Sequence, residues 1–387
     1  MLKEYKIKEL GDISTGNTPS KKNKEFYDSK DIMFIKPDDI DEDIKELSSS
    51  KEYISFIAKE KSRIIPKNTL LVTCIGSIGK IAINKEEGAF NQQINAIVPH
   101  NKIFSSKYLA YVIMNNKEKL KAIANAPVVP IINKTQFSEF KVYIHDDLGV
   151  QKKIVDILDK AQKLINKRKL QIEELDLLVK SKFIEMFGDP VKNQKKLAKV
   201  KLAELGEWKT GGTPLRSKSE YYNGNIPWLS SGELNNKYCF KSNEMITESA
   251  IIESAAKIIE VGSLLLGMYD TAALKSTINM IECSCNQAIA YSKLNENLVN
   301  TVYVYYCIQI GKEFYKSQQR GVRQKNLNLS MIKGLEILMP ELELQNQFAD
   351  FVKQVDKLKF EMEKSLKELE DNFNSLMQKA FKGELFK

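Results

Sequence analysis

The sequence predicts a mixed α/β protein that is built from two tandem copies of one module. A set of short motifs recurs about 195 residues further along the chain, and each copy ends in a long stretch with heptad spacing. The rest of each copy consists of short apolar runs separated by turn residues, which is typical of strands. We therefore expect two α/β domains and two long helices.

The duplication is clearest in the opening motif of each copy. Residues 6–20 read KIKELGDISTGNTPS, and residues 201–215 read KLAELGEWKTGGTPL. Further along, the pair Asn91-Gln92 returns as Asn286-Gln287. Two copies of about 190 residues are too long and too few for a solenoid of short repeats. The chain is therefore interpreted as a tandem duplication.

The first part of each copy carries both strand and helix patterns. Apolar runs between turn residues predict strands over 31–36, 69–75 and 80–84 in the first copy, and over 263–268 and 279–291 in the second. Helical patterns follow over 105–124 and 300–320. The alternating stretch 279–291 would place Cys283 and Cys285 on one face of a strand, as small core residues.

The second part of each copy has the spacing of a coiled coil. Apolar residues recur at steps of four and three over 148–188, and a similar stripe runs over 342–387. Because the intervening domain must return the chain, we expect the two helices to pair in antiparallel orientation. The predicted interface consists of Leu158, Ile165, Ile172, Leu175, Val179, Val355, Leu358, Met362, Leu369 and Phe373. This pairing predicts a pseudo-twofold, nearly circular arrangement, with residues 1–12 close to residues 381–387.

The composition indicates the kind of partner and the compartment. The net charge is +9, from 59 Lys and Arg against 50 Asp and Glu, and such a surplus favours phosphate-bearing partners. A Lys-rich surface without any partner would give the same charge. The sequence has neither an apolar signal core nor an apolar run of the ~18 residues that a membrane helix needs. We expect a soluble, cytoplasmic protein.

Sequence motifs predict no catalytic or metal site. His100 and His145 lack partners at motif spacing, and the cysteines lack the paired spacing of metal ligands. Residues 74–80, CIGSIGK, resemble a phosphate loop but lack its first glycine and the Ser or Thr after the lysine. We interpret them as a strand, a glycine turn and a strand, with Lys80 able to reach a phosphate. The alternatives are a coiled-coil scaffold that binds only protein, and a stand-alone DNA nuclease or methyltransferase.

Several motifs in combination resemble the specificity subunits of type I DNA restriction-modification enzymes. In the first copy they are GNTPS over 16–20, IIPKNTLL over 64–71, GSIGK over 76–80, FNQ over 90–92 and FGDP over 187–190. The second copy repeats the set as GGTP over 211–214, IPW over 226–228, CNQ over 285–287 and QKNLN over 324–328. Each motif alone is weak, but together they cover the whole chain.

This resemblance implies a domain organisation and a set of partners. Target-recognition domains would span 1–147 and 189–341, and long spacer helices would span 148–188 and 342–387. Each domain would bind one half of a bipartite double-stranded DNA site. The helices would set the spacing and dock two methyltransferase subunits, and a restriction or motor subunit could join them. The chain itself would be non-catalytic and bind no cofactor, with S-adenosylmethionine, ATP and Mg²⁺ in the partners.

The two copies differ most in their loops, which predicts an asymmetric DNA target. The glycine-rich block 76–80 is altered over 269–275, and the basic loop 320–323 has no basic counterpart over 125–128. Arginine is rare in this chain and can bind a base edge through two hydrogen bonds. The residues predicted to bind DNA are Arg216, Arg320, Arg323 and Lys325 in the second copy, and Lys21, Lys22, Lys36, Lys80 and Asn133 in the first.

Overall fold

The computed structural model describes residues 2–125, 129–269, 273–317 and 326–386. The chain divides into two compact units, here called unit 1 (residues 1–169 and 364–387) and unit 2 (residues 170–363). The division falls inside the two long helices rather than at their ends. Each unit therefore combines one of the two α/β domains with one half of each helix.

Unit 1 begins with the first α/β domain. Its strands are β1 (Leu2–Lys6), β2 (Gly11–Thr15), β3 (Ile32–Ile35), β4 (Lys45–Leu47), β5 (Glu52–Ile54), β6 (Ile64–Ile65), β7 (Leu70–Thr73), β8 (Ile81–Asn84), β9 (Gly88–Phe90), β10 (Ile94–Pro99) and β11 (Lys141–His145). Its helices are α1 (Ser106–Asn115), α2 (Lys117–Ala122) and α3 (Lys134–Glu139), followed by α4 (Leu148–Phe187), which continues into unit 2.

Unit 2 contains the second α/β domain. Its strands are β12 (Ala198–Lys201), β13 (Lys209–Thr210), β14 (Tyr222–Leu229), β15 (Tyr238–Cys239), β16 (Glu244–Ile246), β17 (Leu264–Gly267), β18 (Ser276–Asn279), β19 (Ser284–Cys285), β20 (Ile289–Ser292) and β21 (Glu336–Met339). Its helices are α5 (Leu202–Leu205), α6 (Glu248–Glu253), α7 (Thr301–Ile310), α8 (Lys312–Lys316) and α9 (Leu329–Lys333), and α10 (Leu342–Phe381) ends in unit 1.

The duplication extends to the strand order of the sheets. Unit 1 has a five-stranded sheet ordered β2-β10-β7-β8-β4, and unit 2 has the matching order β13-β20-β17-β18-β15. A second sheet is ordered β5-β3-β9-β6 in unit 1 and β16-β14-β19 in unit 2. In the place of β6, unit 2 has a single bridge between Ile259 and Cys283. In both domains the first strand pairs with the last, β1 with β11 and β12 with β21.

Most of the predicted strands are present because their apolar residues enter the core. The predictions over 31–36, 69–75, 80–84 and 263–268 are confirmed by β3, β7, β8 and β17, whose residues are all buried. The single strand predicted over 279–291 is wrong, because β19 and β20 belong to different sheets. Cys283 and Cys285 are nevertheless fully buried in one apolar cluster, as expected of core residues.

Both predicted medium-length helices are interrupted within the described residues, and residues 318–320 of the second prediction lie outside them. In unit 1, Asn116 separates α1 from α2, and its amide donates a 2.9 Å hydrogen bond to the Val112 carbonyl. In unit 2, Gly311 separates α7 from α8. Both interruptions fall at residues with low helix propensity. No helix among the described residues has the length and hydropathy needed to cross a membrane.

Within unit 1, α4 and α10 pack in antiparallel orientation. Ile165 and Phe373 share one apolar core, and the Lys169 ammonium lies 3.5 Å from the Glu370 carboxylate. Nearer the start of α4, the Lys153 ammonium lies 6.0 Å from the centroid of the Phe386 ring. A Cβ added at Gly383 would lie 3.2 Å from Leu2, which confirms the predicted proximity of the two chain ends.

Within unit 2, the same two helices pack through aromatic rings. Phe183 and Phe187 lie 5.4 and 5.6 Å from Phe348, measured between ring centroids. About two turns back along α4 and about three turns on along α10, the Lys359 ammonium lies 2.7 Å from the Asp176 carboxylate. These contacts again run in opposite directions along the two helices.

The helix seam follows the predicted residues with one correction. Leu158, Ile165, Leu175, Val179, Val355 and Phe373 are buried, and Ile172, Met362 and Leu369 are half-buried. Leu358 was predicted in the seam but is 47% exposed. The steps of four and three that run through Val355 and Met362 instead place Lys359 in the seam, where it pairs with Asp176.

A buried glutamine in the first turn of each long helix forms hydrogen bonds with the backbone of the adjacent α/β domain. Gln151 and Gln345 are both fully buried. Their side-chain oxygens accept hydrogen bonds from the backbone N–H groups of Phe104 (2.8 Å) and Asn300 (2.9 Å). Their side-chain amides donate to the carbonyls of His145 (2.6 Å) and Pro340 (2.8 Å). The repeated glutamine thus has a structural role in both copies.

Candidate nucleic-acid interface

The repeated G-x-T-P motif packs against the repeated Asn-Gln pair. A Cβ added at Gly16 would lie 2.3 Å from the Asn91 carbonyl oxygen, and one added at Gly211 would lie 2.2 Å from the Cys285 carbonyl oxygen. Only glycine permits this close approach of two backbone segments. The Thr18 hydroxyl donates to Gln92 at 2.7 Å, and the Thr213 hydroxyl donates to Gln287. The motif therefore fixes the start of the loop that follows β2 and β13.

A tyrosine holds the far end of this loop in both units. The hydroxyl of Tyr27 donates to the Pro19 carbonyl, and the hydroxyl of Tyr222 donates to the Pro214 carbonyl, each at 2.7 Å. The side chains between these anchors differ, since Lys21 in unit 1 corresponds to Arg216 in unit 2. The loop is thus one scaffold that presents different cations.

In unit 2, Arg216 forms a two-pronged ion pair with Glu244. Its Nη2 donates to the carboxylate at 3.1 Å, and its Nη1 donates to the other oxygen. The guanidinium also lies 4.7 Å from the ring centroid of Tyr222 and 5.0 Å from that of Trp228, both within cation-π range. The hydrogen bond from Arg216 lowers the pKa of the Glu244 carboxyl. The arginine side chain is still 56% exposed.

In unit 1, the corresponding carboxylate binds two lysines. Glu52 pairs with Lys36, and the Lys21 ammonium lies 3.7 Å from its other oxygen. The hydrogen bond from Lys36 is the main cause that lowers the pKa of Glu52. Lys36 is only 23% exposed, whereas Lys21 is 63% exposed.

The fold places the two glutamates at equivalent positions. In the strand register, Glu52 lies opposite Phe34, and Glu244 lies opposite Trp228. The serine two residues earlier accepts a 3.2 Å hydrogen bond from the backbone of that aromatic residue, through Ser50 in one unit and Ser242 in the other. Sequence reasoning missed both glutamates. The repeated Ser-x-Glu triplet was the signal that could have identified them.

A basic cleft of about 700 Å³ surrounds Glu52 in unit 1. Its lining includes four lysines and two tyrosines: Lys21, Lys24, Lys30, Lys51, Tyr27 and Tyr53. The Lys30 ammonium lies 5.9 Å from the centroid of the Tyr53 ring. The neighbouring Lys22 side chain is exposed. Ammonium groups beside aromatic rings are suited to a phosphate backbone and to base stacking.

Lys80 lies at a second, smaller cleft of unit 1, of about 310 Å³. Residues 70–84 form a strand, a glycine turn and a strand, as predicted, and Gly76 and Gly79 adopt positive φ angles of 73° and 82°. The ammonium groups of Lys80 and Lys117 lie 3.4 and 2.8 Å from the exposed Glu42 carboxylate. At this cleft, two ammonium groups therefore lie next to one carboxylate.

Asn133 has a structural role that sequence reasoning did not assign. Its side-chain oxygen accepts a 2.8 Å hydrogen bond from the backbone of Gln136, which caps the N-terminus of α3. Asn328 caps α9 in the same way, through a 2.9 Å bond from Met331. Contact of Asn133 with DNA stays a prediction. Arg320, Arg323 and Lys325, also predicted to bind DNA, lie outside the described residues.

Two loops that have equivalent backbone anchors and carry basic side chains, on a duplicated α/β scaffold, are typical of a nucleic-acid-binding protein with two related domains. The type I restriction modification DNA specificity domain matches residues 2–174 and 194–371. Because the two matches together cover most of the chain, this protein belongs to that family and contains the domain twice.

Relatives and solved structures agree over nearly the full length. The chain is 25% identical to the type I restriction enzyme MjaIX specificity subunit of Methanocaldococcus jannaschii, over 98% of this chain and 92% of that one. A structure described under complex assembly and conformational transition of the type I R-M system has a TM-score of 0.64 at 14% identity, covering 99% of this chain and 98% of that one. The S subunit from M. genitalium has a TM-score of 0.56 at 14% identity, with coverages of 98% and 96%.

Proposed function

We propose that this chain is the DNA-recognition subunit of a type I restriction-modification complex, and that each recognition domain reads one half of an asymmetric bipartite site. The observation that carries the proposal is that one loop is built twice with different cations, Lys21 in unit 1 and Arg216 in unit 2. An ammonium acts as a point charge, whereas a guanidinium can donate two hydrogen bonds to guanine. Equal scaffolds with unlike side chains suit unlike half-sites.

Lysines and arginine have separate tasks in this proposal. Lys21, Lys22, Lys36 and Lys80 contact phosphates and position each domain on the duplex, because ammonium groups bind phosphate without reading sequence. Arg216 contacts a base edge, since its guanidinium plane is fixed by Glu244 and the ring of Trp228. Arg320, Arg323 and Lys325 remain further predicted contacts of the second domain.

The helices are proposed to dock two methyltransferase subunits, which a restriction or motor subunit joins. On the part of α4 that lies in unit 2, Leu170, Leu177 and Ile184 recur at seven-residue spacing. They are 57%, 59% and 39% exposed, so this stripe lies outside the helix seam. Exposed apolar stripes of this kind favour a protein partner. Catalysis, with S-adenosylmethionine, ATP and Mg²⁺, would belong to these partners, and the chain itself would be non-catalytic.

The paired helices are also proposed to set the gap between half-sites. Helices α4 and α10 have 40 residues each, which corresponds to a length of about 60 Å. Inserting four residues between Ile165 and Ile172 nearly preserves the apolar seam and lengthens the helix by ~6 Å. We expect the spacer of the methylated sequence to grow by about one or two base pairs. If the lengthened chain is active and the methylated sites keep the original spacer, the helices do not set the gap between half-sites.

The proposed function as a whole is tested by co-expressing the full chain with a type I methyltransferase subunit and sequencing the methylated bases. We expect one bipartite sequence whose two halves differ. Methylation without sequence preference would contradict the proposal. Cleavage or methylation of DNA by the purified chain alone would establish an enzyme instead.

A further inference from the structure

In the free chain, the cation at the same place in the two loops, Arg216 after β13 and Lys21 after β2, already has a carboxylate partner. Arg216 is bound through two N–H groups to Glu244, and Lys21 and Lys36 are bound to Glu52. Both glutamates lie at the same place in the fold, one strand away from a buried aromatic residue. A surface that only had to attract phosphates would be expected to leave its cations without carboxylate partners.

A carboxylate changes what a guanidinium can bind. The paired group is neutral overall, so a negatively charged phosphate gains little from approaching it and is repelled by the nearby glutamate. However, a guanidinium has five N–H donors, of which Glu244 accepts two. The remaining donors can still reach a neutral acceptor, such as O6 or N7 of guanine.

The aromatic rings restrict the guanidinium further. Arg216 lies 4.7 Å from the Tyr222 centroid and 5.0 Å from the Trp228 centroid, and Trp228 is itself buried and anchored by a 3.0 Å hydrogen bond to the Gly212 carbonyl. The orientation of the cation is therefore set before DNA arrives. Preorganised donors favour a partner with matching geometry over one that supplies only charge.

We propose that Glu244 and Glu52 are specificity-determining residues. Glu244 suppresses phosphate binding by Arg216 and leaves its guanidinium to read a base, and Glu52 weakens the phosphate contacts of Lys21 and Lys36, so that binding in unit 1 depends less on charge alone. This inference rests on the proposed function, because it requires that the loops bind DNA. The effect is larger in unit 2. There, one glutamate neutralises one arginine, whereas in unit 1 Glu52 shares its charge between two lysines and one positive charge is left over.

The test compares Glu244→Gln and Glu52→Gln with the wild type, using the full chain in complex with its methyltransferase. Affinity is measured over a series of salt concentrations for two DNA duplexes. One contains the bipartite sequence that the wild-type complex methylates, and the other contains a scrambled sequence. We expect Glu244→Gln to bind scrambled DNA about twofold to fivefold more tightly, because an exposed ion pair no longer competes. The slope of log affinity against log salt should steepen by ~0.9, as expected of one additional phosphate contact.

The sequences that each variant methylates show which half-site has lost sequence preference. Glu244→Gln should relax the sequence preference in one half-site, and Glu52→Gln should relax it more weakly in the other. The double variant Arg216→Gln/Glu244→Gln should lose the gain in affinity for scrambled DNA, since the freed guanidinium is then absent. If the double variant keeps that gain, Glu244 acts only through overall charge and the inference is overturned.

Glu139→Gln is the matched control. Glu139 is an exposed glutamate that pairs with Lys6 and Lys8 at other elements of unit 1, so the variant has the same change in net charge. If Glu244→Gln and Glu52→Gln behave like Glu139→Gln in affinity, salt slope and methylation profile, the inference fails while the proposed function stands. If the wild-type complex itself shows no sequence preference, the proposed function fails instead.

Discussion

The two recognition loops have the same backbone and differ in the groups they present. The hydrogen bonds from Tyr27 and Tyr222 to a proline carbonyl have equal lengths, and Gly16 and Gly211 approach equivalent carbonyl groups. In contrast, an exposed lysine in one loop corresponds to an oriented arginine in the other. The comparison teaches that the repeated motifs define the scaffold, so residues that determine the DNA sequence should be sought where the two copies differ.

One difference in packing between the units lies where the helices meet their domains. In unit 2, Phe183 is fully buried against Phe187, Phe348 and Tyr303, and its counterpart in unit 1 is Met377. We expect Phe183→Ala to lower the free energy of unfolding by about 3–5 kcal/mol. Met377→Ala should lower it less, by an amount near the lower end of the range of about 2–5 kcal/mol for a buried methionine. Urea unfolding of the full chain measures both changes. An equal loss would contradict this contrast.

The outer faces of the two helices provide a second contrast. Leu170, Leu177 and Ile184 on α4 correspond to Lys364, Asp371 and Gln378 on α10, which are exposed and polar. We expect Leu177→Asp to weaken the binding of one methyltransferase subunit by about 10-fold to 100-fold. The reason is that a leucine side chain, which the bound subunit would cover, is replaced by a carboxylate. Asp371→Asn is the control and should leave binding unchanged. Sedimentation of the complex measures the stoichiometry, and full occupancy of Leu177→Asp would exclude docking at this stripe.

The buried glutamines test where the two copies are alike. We expect Gln345→Ala and Gln151→Ala to destabilise the chain by similar amounts, about 1–3 kcal/mol each, because each leaves a buried backbone N–H group without its acceptor. Thermal unfolding of both variants is the measurement. If one variant is neutral, the two helix starts are not equivalent despite their matching hydrogen bonds.

The smallest expected effect concerns pH. Ion pairing lowers the pKa of Glu244 and Glu52 below the ordinary glutamate value. The stability that these pairs contribute is therefore fully present above the ordinary pKa, and it is lost as pH falls through the lowered pKa of the folded state. Because the pairs are exposed, we expect Glu244→Gln to cost less than about 1 kcal/mol at neutral pH. This difference should shrink as pH falls below the ordinary glutamate pKa and the Glu244 carboxylate becomes protonated, and a constant difference would indicate a cause other than the ion pair.

The sequence was sufficient for features that depend on local pattern. Strands β7 and β8 were predicted because their apolar residues lie between turn residues, and the helix pairing followed from the heptad spacing. The strand over 279–291 was wrong because the alternation of apolar residues continues through the turn at Asn286 and Gln287 into a strand of another sheet. Leu358 was wrong because an apolar residue beside the seam was favoured over the lysine that occupies it.

The site was harder to predict than the fold, because each key pair joins a loop residue to a strand residue that is distant in the sequence. Arg216 was chosen for its rarity, but its partner Glu244 lies 28 residues away, in β16. No spacing rule connects two such residues, since their proximity depends on the register of β14 with β16. The same holds for Glu52 and Lys21. Only comparison of the two copies, through the shared Ser-x-Glu triplet, could have indicated these carboxylates in advance.

The division of the chain has a consequence for the order in which it folds during synthesis. Unit 2 is continuous, whereas unit 1 needs both residues 1–169 and residues 364–387. Ile154 and Leu158 share their core with Phe373, Met377 and Phe381, which are synthesised after the whole of unit 2. Although domains usually fold in the order in which they are synthesised, the second recognition domain can here be complete while the first still exposes an apolar helix face. Of the two domains, the one that is started earlier is therefore completed later.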